Sequence, residues 1–421
     1  MKSCLIKSPL TNPVRPLRFY EIVPSLVVII VLSHTLVDTV ASQMAPLWPE
    51  LQRYFALDSN GIYGVIILWT STQTFAQVVF GYLSDRLRLN YLIWLAPGVA
   101  VLSMSLVGLT DSILLASILL TVSGTAIAGF HPEAVALCGA AMPTQRSRAV
   151  SIFVFGGFVG QTLGPLYGGW VVQHFGMRGL SLGALWGGLV AIVLAFVFSK
   201  CWGKTRNVSL PDVSFEHAGT PLPWRTLFQI LVIQTLRVIG ATGIPLSLAF
   251  ILDAQGVGPL GIGMEQSVFL GGIGAGGLVS ALIFQQQQER RLLFWLPVIG
   301  VVPMLLLVIT SHWQMTFCVG ASALTIGIAM PVMISYGQQA VPQAQRLVSS
   351  VTMGVSWGIG GCISAGLVSQ MSHWSRPQLL FVAFAISSLL AGLLSFWLPQ
   401  ITTSTDGTWQ RENQADVSKA L

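Results

Sequence analysis

Long apolar runs follow one another along almost the whole chain, and they restrict the fold more than any other feature. A helix that crosses a bilayer needs about 20 mostly apolar residues. Twelve stretches meet that length: 22–44, 61–83, 91–110, 113–140, 147–172, 179–199, 226–252, 263–285, 292–310, 313–340, 347–370 and 377–398. They are too long for strands and lack strict alternation. Composition agrees: 53% of the 421 residues are hydrophobic and 9% charged, with mean hydropathy +0.73. Soluble domains carry about 25% charged residues. The expected fold is an all-α integral membrane protein, twelve transmembrane helices in two pseudo-symmetric six-helix bundles.

Lysine and arginine orient the helices. With the N-terminus inside, one side collects 17 of the 21 basic residues, among them Lys2, Lys7, Arg15 and Arg18 of the leading segment. The other side holds only Arg53, Arg178 and Arg376, and Arg237 lies within a helix. Both termini are therefore expected in the cytoplasm, and the net charge of +6 reflects loop charge rather than a nucleic-acid surface. The apolar run after the basic segment is long and contains His34 and Asp38, so it reads as a first membrane helix rather than a cleavable signal peptide. The five cysteines, Cys4, Cys138, Cys201, Cys318 and Cys362, are scattered and suggest no metal spacing or disulfide framework.

The longest internal polar segment, 200–224, divides the helices six and six. The expected organisation is a cytoplasmic tail 1–21, an N-terminal bundle 22–199, a linker 200–225, a C-terminal bundle 226–399 and a polar tail 400–421. The halves resemble each other at an offset near 199. Pro46 falls on Pro245 and Pro132 on Pro331, while Arg148, Gly156 and Gly160 fall on Arg346, Gly354 and Gly358 at an offset of 198. Such internal repeats mark transporters whose substrate site lies near mid-membrane between the halves.

Polar groups inside the apolar runs are the candidate functional residues, because an intramembrane charge is costly and persists where it is paired or used. His34 and Asp38, spaced i and i+4, share one face of the first helix, and Ser42 extends it. Phe130-His131-Pro132-Glu133 sits inside the fourth helix. Pro132 cannot donate to the carbonyl of Ala128, so a kink is expected there. His131 and Glu133 stand roughly 200° apart on a regular helix, so only one should face a central cavity. Gly129 leaves room beside Glu133, which makes the glutamate the preferred titrating group and His131 its neighbour. Arg237 is the one basic residue deep in a helix, with Gln234 a turn before it. The repeat places Arg237 opposite Asp38, and an Asp38–Arg237 pair would relieve both desolvation costs. Gln73, Gln77 and Gln338 are further candidates for the cavity wall.

Two motifs concern conformational change. Gly81-Tyr-Leu-Ser-Asp85-Arg86-Leu-Arg88 resembles the cytoplasmic signature of the major facilitator superfamily, G-x-L-x-D-R-x-G-R, without the glycine after the arginine. Gly81 would permit close packing and Asp85 and Arg86 would latch one conformation. The fifth helix carries Gly160-x-x-x-Gly164-Pro165-x-x-Gly168-Gly169, the complete spacing of the superfamily's antiporter signature.

Ser33-His34-x-x-x-Asp38, Gly81-Tyr-x-x-Asp85-Arg86 and Phe130-His131-Pro132-Glu133-Ala134 together resemble the fosmidomycin resistance proteins within that superfamily. The likeness covers roughly residues 30–170, and in the second half it rests on helix pattern and Arg237. It implies proton-driven export of a small molecule from the cell across the inner membrane, with Asp38, Glu133, His34 and His131 handling protons. The expected partners are a substrate, protons and the lipid bilayer, with no nucleic acid, no cofactor and no metal, and the chain working as a monomer. An uptake symporter or uniporter, or a receptor that kept a transporter fold, are the alternative readings. No nucleophile with a base, phosphate loop or metal cluster suggests an enzyme.

Overall fold

A computed structural model describes residues 25–400 apart from 88, 90, 143–144, 206–221, 284–287, 342–343 and 374. Twelve long helices account for nearly all of it. They are α1 (Ser25–Tyr54), α2 (Ser59–Leu87), α3 (Leu92–Val107), α4 (Ile113–Ala141), α5 (Arg146–Phe175), α6 (Leu182–Thr205), α7 (Trp224–Ala254), α8 (Pro259–Ile283), α9 (Glu289–Leu306), α10 (His312–Ala340), α11 (Leu347–Ser369) and α12 (Leu380–Ser395). Nine are long and apolar enough to cross a membrane by length and composition. The others are α3, with 16 residues, α8, and α9, which opens on Glu289-Arg290-Arg291. The central segment 206–221 and the tails 1–24 and 401–421 lie outside the described residues.

Packing repeats with a shift of six helices. α1 lies on α5 as α7 lies on α11, and α2 lies on α4 as α8 lies on α10. α3 packs on α4 and α6 as α9 packs on α10 and α12. The halves meet along α5 and α8 and along α2 and α11, two contacts that exchange under the same shift. Fold symmetry therefore follows the weak sequence repeat.

Large apolar side chains face outward along α6, where Leu185, Leu189, Ile192 and Phe196 are exposed. A surface of this kind is unfavourable in water and ordinary against lipid tails.

Local departures have identifiable causes. α1 is regular to Ser42, tightens to a 3₁₀ turn at Ala45–Leu47, and resumes as helix from Trp48 to Tyr54. Pro46, which lacks an N–H, sits in that turn. α9 starts at Glu289 rather than 292, because the acid is buried and accepts bonds from Ser335 and Gln339 of α10 at 2.9 and 2.6 Å. In α11 the segment Val351–Val355 is a π-helix, and the hydroxyl of Ser356 takes the carbonyl of Val351 at 2.7 Å.

Candidate functional site

α5 sets the position of the site by lying almost backbone to backbone on α1. A Cβ added at Gly160 would stand 2.3 Å from the carbonyl oxygen of Thr35, one at Gly164 2.4 Å from that of Thr39, and one at Gly168 2.2 Å from that of Gln43. Gly169 and Pro165 turn the other way, onto α8: a Cβ at Gly169 would lie 2.4 Å from the carbonyl of Pro259, and one at Gly263 2.3 Å from that of Pro165. Small residues at this spacing allow such approach. The sequence motif is therefore a contact strip joining α5 to α1 and to the opposite half.

Where α1, α4 and α5 meet, His34, Asp38 and His131 come together. Asp38 is buried, 3% exposed. Its Oδ1 lies 3.1 Å from Nε2 of His131, and its Oδ2 lies 3.3 Å from Nε2 of His34. Gln161 of α5 donates its amide to Oδ2 at 3.0 Å. Each imidazole is anchored through its other nitrogen: Nδ1 of His34 on the carbonyl of Phe153 at 2.8 Å, and Nδ1 of His131 on that of Ile127 at 2.7 Å. A carbonyl oxygen only accepts, so both Nδ1 atoms carry hydrogen. The ring of His34 also stacks on Phe153, with centroids 3.9 Å apart. Gly157 leaves the space, since a Cβ there would stand 2.4 Å from the His34 ring and 2.9 Å from Asp38.

The donor atoms of the three residues lie within 4.8 Å of one another, a spacing that suits a shared proton and a cation alike. The Gln161 N–H points at the carboxylate, which favours negative charge there.

One sequence expectation changes here. No ion pair joins Asp38 to Arg237; the carboxylate's partners are His34, His131 and Gln161. Arg237 is buried in α7 with its NH1 unbonded. On α4 it is His131 that reaches Asp38. Glu133 lies on the other face of α4, buried at 2% exposure and with interactions of its own. The angular separation on one helix allows only one of the two residues to meet α1.

The remaining candidates are dispersed. Gln234 donates to the carbonyl of Thr352 in the π segment at 3.3 Å. Gln73 is half-buried on α2 beside Gly124 of α4, and Gln77 is half-buried a turn further on. Gln338 bonds Ser349 at 3.0 Å, within the second half. Gly81 lies on α2 with open space at its Cβ position, and the side chains of Asp85 and Arg86 lie outside the described residues.

Sequence reasoning missed a second polar set, which ties the halves where α1 and α7 end. Arg53 bonds both oxygens of Asp253 at 2.7 and 2.9 Å and is held by Glu50 at 2.6 Å. Gln266 of α8, fully buried, donates to the carbonyls of Ala45 and Pro245 at 3.1 and 2.9 Å. Gln173 of α5 accepts from the N–H of Leu260 at 3.0 Å. No local pattern announces it, since Arg53 and Asp253 stand 200 residues apart at the ends of two different helices.

The sequence profile of the Major Facilitator Superfamily matches residues 28–236. The chain belongs to the Major Facilitator Superfamily. Over 384 residues this facilitator is 24% identical to the Fosmidomycin resistance protein of Escherichia coli (strain K12), covering 87% of this chain and 91% of that one. Its fold is similar to that of the D-xylose-proton symporter, with TM-score 0.71, 10% identity and coverage of 90% and 98%. It is likewise similar to a bacterial homologue of the human lysosomal transporter Spinster, with TM-score 0.67, 14% identity and coverage of 89% and 96%.

Proposed function

We propose that this facilitator exports a small molecule in exchange for protons by alternating access, and that His34, Asp38 and His131 carry the proton. One observation carries the reading: both imidazoles spend Nδ1–H on a main-chain carbonyl and turn Nε2 to the two oxygens of one buried carboxylate. Each Nε2–carboxylate contact then needs a proton of its own. With both present, both contacts are bonded. With one removed, two lone pairs oppose each other and a contact opens. The His131 contact joins α4 to α1, so proton loss acts directly on helix packing.

The basic-residue asymmetry supports an inner-membrane placement with both termini cytoplasmic, and the division at 200–225 supports bundles 22–199 and 226–399 as the moving bodies. Export is supported by the complete antiporter-like strip on α5 and by the likeness to a resistance protein. Proton entry from the outside would load Asp38, and release to the cytoplasm would reset it. Glu133 is a relay candidate on the far face of α4, and Asp85 with Arg86 is the cytoplasmic latch. A single chain contains both halves of the machine and works as a monomer.

Proteoliposomes with an imposed pH gradient test this, with fosmidomycin as the first substrate probe and an antibiotic panel after it. The wild-type protein is expected to accumulate substrate against its gradient and to stop when a protonophore is added. Asp38→Asn and His131→Gln are expected to lose at least ~10-fold of gradient-driven flux, the worth of one charge-assisted bond, while keeping substrate exchange at equal pH. Full proton-driven flux in both variants would remove the group as carrier. Accumulation in the direction of proton flow would make the protein a symporter.

A further inference from the structure

A buried cation without a counter-anion is the feature that the proton-handling group leaves unexplained. Arg237 lies mid-helix in α7, 9% exposed, and its NH1 has no hydrogen-bond partner. Arginine stays charged in proteins. Removing that charge from water without a partner costs several kcal/mol. None of the described carboxylates of the second half forms an ion pair with it. Asp253 binds Arg53, Glu289 accepts from Ser335 and Gln339, and Glu265 accepts from Thr316 at Oε1 while its Oε2 is unbonded. Asp38, at the repeat-equivalent position in the first half, has its own three partners.

A second orphan lies one turn away. Gln234, 3% exposed, donates its amide N–H to Thr352 and leaves Oε1 unbonded. The bonded nitrogen fixes which way the amide points, because a carbonyl oxygen turned to Thr352 would be repelled. Thr352 belongs to the π-helical turn of α11, and such turns recur at functional sites. One unused donor on a full cation and one unused acceptor stand three residues apart on α7, beside an irregular helix.

We infer that Arg237 and Gln234 form an anion subsite of the substrate pathway: the guanidinium takes a carboxylate, phosphonate or sulfonate, and Gln234 Oε1 takes an O–H or N–H beside it. The inference rests on the reading of this chain as a transporter and names the substrate class, a small organic anion with a neighbouring hydrogen-bond donor. A neutral apolar compound would leave both orphans unpaired and gain nothing from the site.

Binding can be read without transport, so failure here is separable from failure of proton-coupled export. The full chain, purified in an uncharged detergent without added lipid, is melted by tryptophan fluorescence in the presence of 2-hydroxyethylphosphonate, glycolate, isethionate or, as the uncharged probe, ethylene glycol. At least one anion is expected to raise the wild-type Tm saturably, and ethylene glycol is not. Arg237→Met is expected to abolish the shift, Arg237→Lys to keep part of it, and Gln234→Leu to weaken apparent affinity ~5–10-fold, the worth of one hydrogen bond. Without ligand, Arg237→Met is expected to melt ~2 °C or more above the wild type, because it removes an uncompensated charge. Two results would overturn the inference. One is that no anion distinguishes wild type from Arg237→Met. The other is that Arg237→Met melts lower without ligand while Arg237→Lys matches the wild type, the signature of a structural cation. A final arm adds phosphatidylglycerol. An Arg237-dependent shift from the lipid but from none of the soluble anions would make the occupant a lipid headgroup and overturn a soluble substrate.

Discussion

His131 and Glu133 are two residues apart, yet they stand in different surroundings. His131 shares Asp38 with His34, whereas Glu133 is sealed on the opposite face of α4. The carboxylate has two oxygens, and each receives one imidazole, so the histidines are not equivalent. His131 joins two helices, while His34 lies on the same helix as Asp38 and is held by the Phe153 ring and carbonyl. His34→Phe keeps the stack and removes the contact to Asp38. It is expected to fold with a near-native Tm and to shift the pH profile of export, with a smaller loss of flux than His131→Gln. Transport rates measured from pH 5 to 9 check both points. A wild-type profile in His34→Phe would leave His131 as the sole basic partner of Asp38. The His34–Asp38 pair was legible as i, i+4 spacing. The arrival of His131 and Gln161 was not, because it depends on how α4 and α5 rotate about their own axes.

On the scale of the helix, α5 explains why the site exists where it does. Its glycines bring two helix backbones close enough for Gln161 of α5 to join His34 of α1 on one carboxylate. Gly160→Ala drives a Cβ to 2.3 Å from a main-chain oxygen, and neither helix can yield without moving the site. Overpacking of this kind costs about 1–3 kcal/mol. Gly188→Ala on α6 meets nothing within 4 Å and is expected to be neutral. Melting both variants in detergent compares them directly, and equal Tm values would mean that the strip yields freely. The motif's spacing was readable from the sequence. Its division between α1 and α8 was not, since Gly168 and Gly169 are adjacent in sequence and face different helices. The π turn of α11 was equally hidden, because the groups that accompany it, Ser356 and Gln234, show no local pattern.

Across the whole molecule, the ties between halves that carry charge or buried amides gather where α1 and α7 end. Arg53–Asp253 and the doubly bonded Gln266 close that end in the conformation described here. In the proposed orientation it is the outer end, where these contacts would act as an external gate. The side chain of Arg53 is half exposed, and a solvent-screened pair is worth at most ~1 kcal/mol. Asp253→Arg is therefore expected to shift the open-to-closed ratio at that end by only ~2–5-fold, and Arg53→Asp with Asp253→Arg to restore it. Gln266→Leu removes both amide bonds to main-chain carbonyls at this end and should shift it further. Spin-label distances between the α1 and α7 ends measure the ratio. An unchanged distribution in all three variants would reduce these contacts to passive packing.

By itself the sequence determined what local chemistry can determine. Apolar length defined the helices, lysine and arginine bias suggested their orientation, the 199-residue offset announced two like halves, and intramembrane polar residues marked the candidates. The tertiary structure decided who meets whom. An Asp38–Arg237 pair was a reasonable expectation from symmetry, but symmetry relates positions and does not bring them into contact. Histidines from α1 and α4 and an amide from α5 reached Asp38 first, because the glycine strip holds α5 against α1 within one bundle. Arg237 was left across the repeat with an unbonded NH1. A helix's hydropathy records which faces avoid water; it carries no record of rotation about the helix axis, and that angle decides each of these pairings.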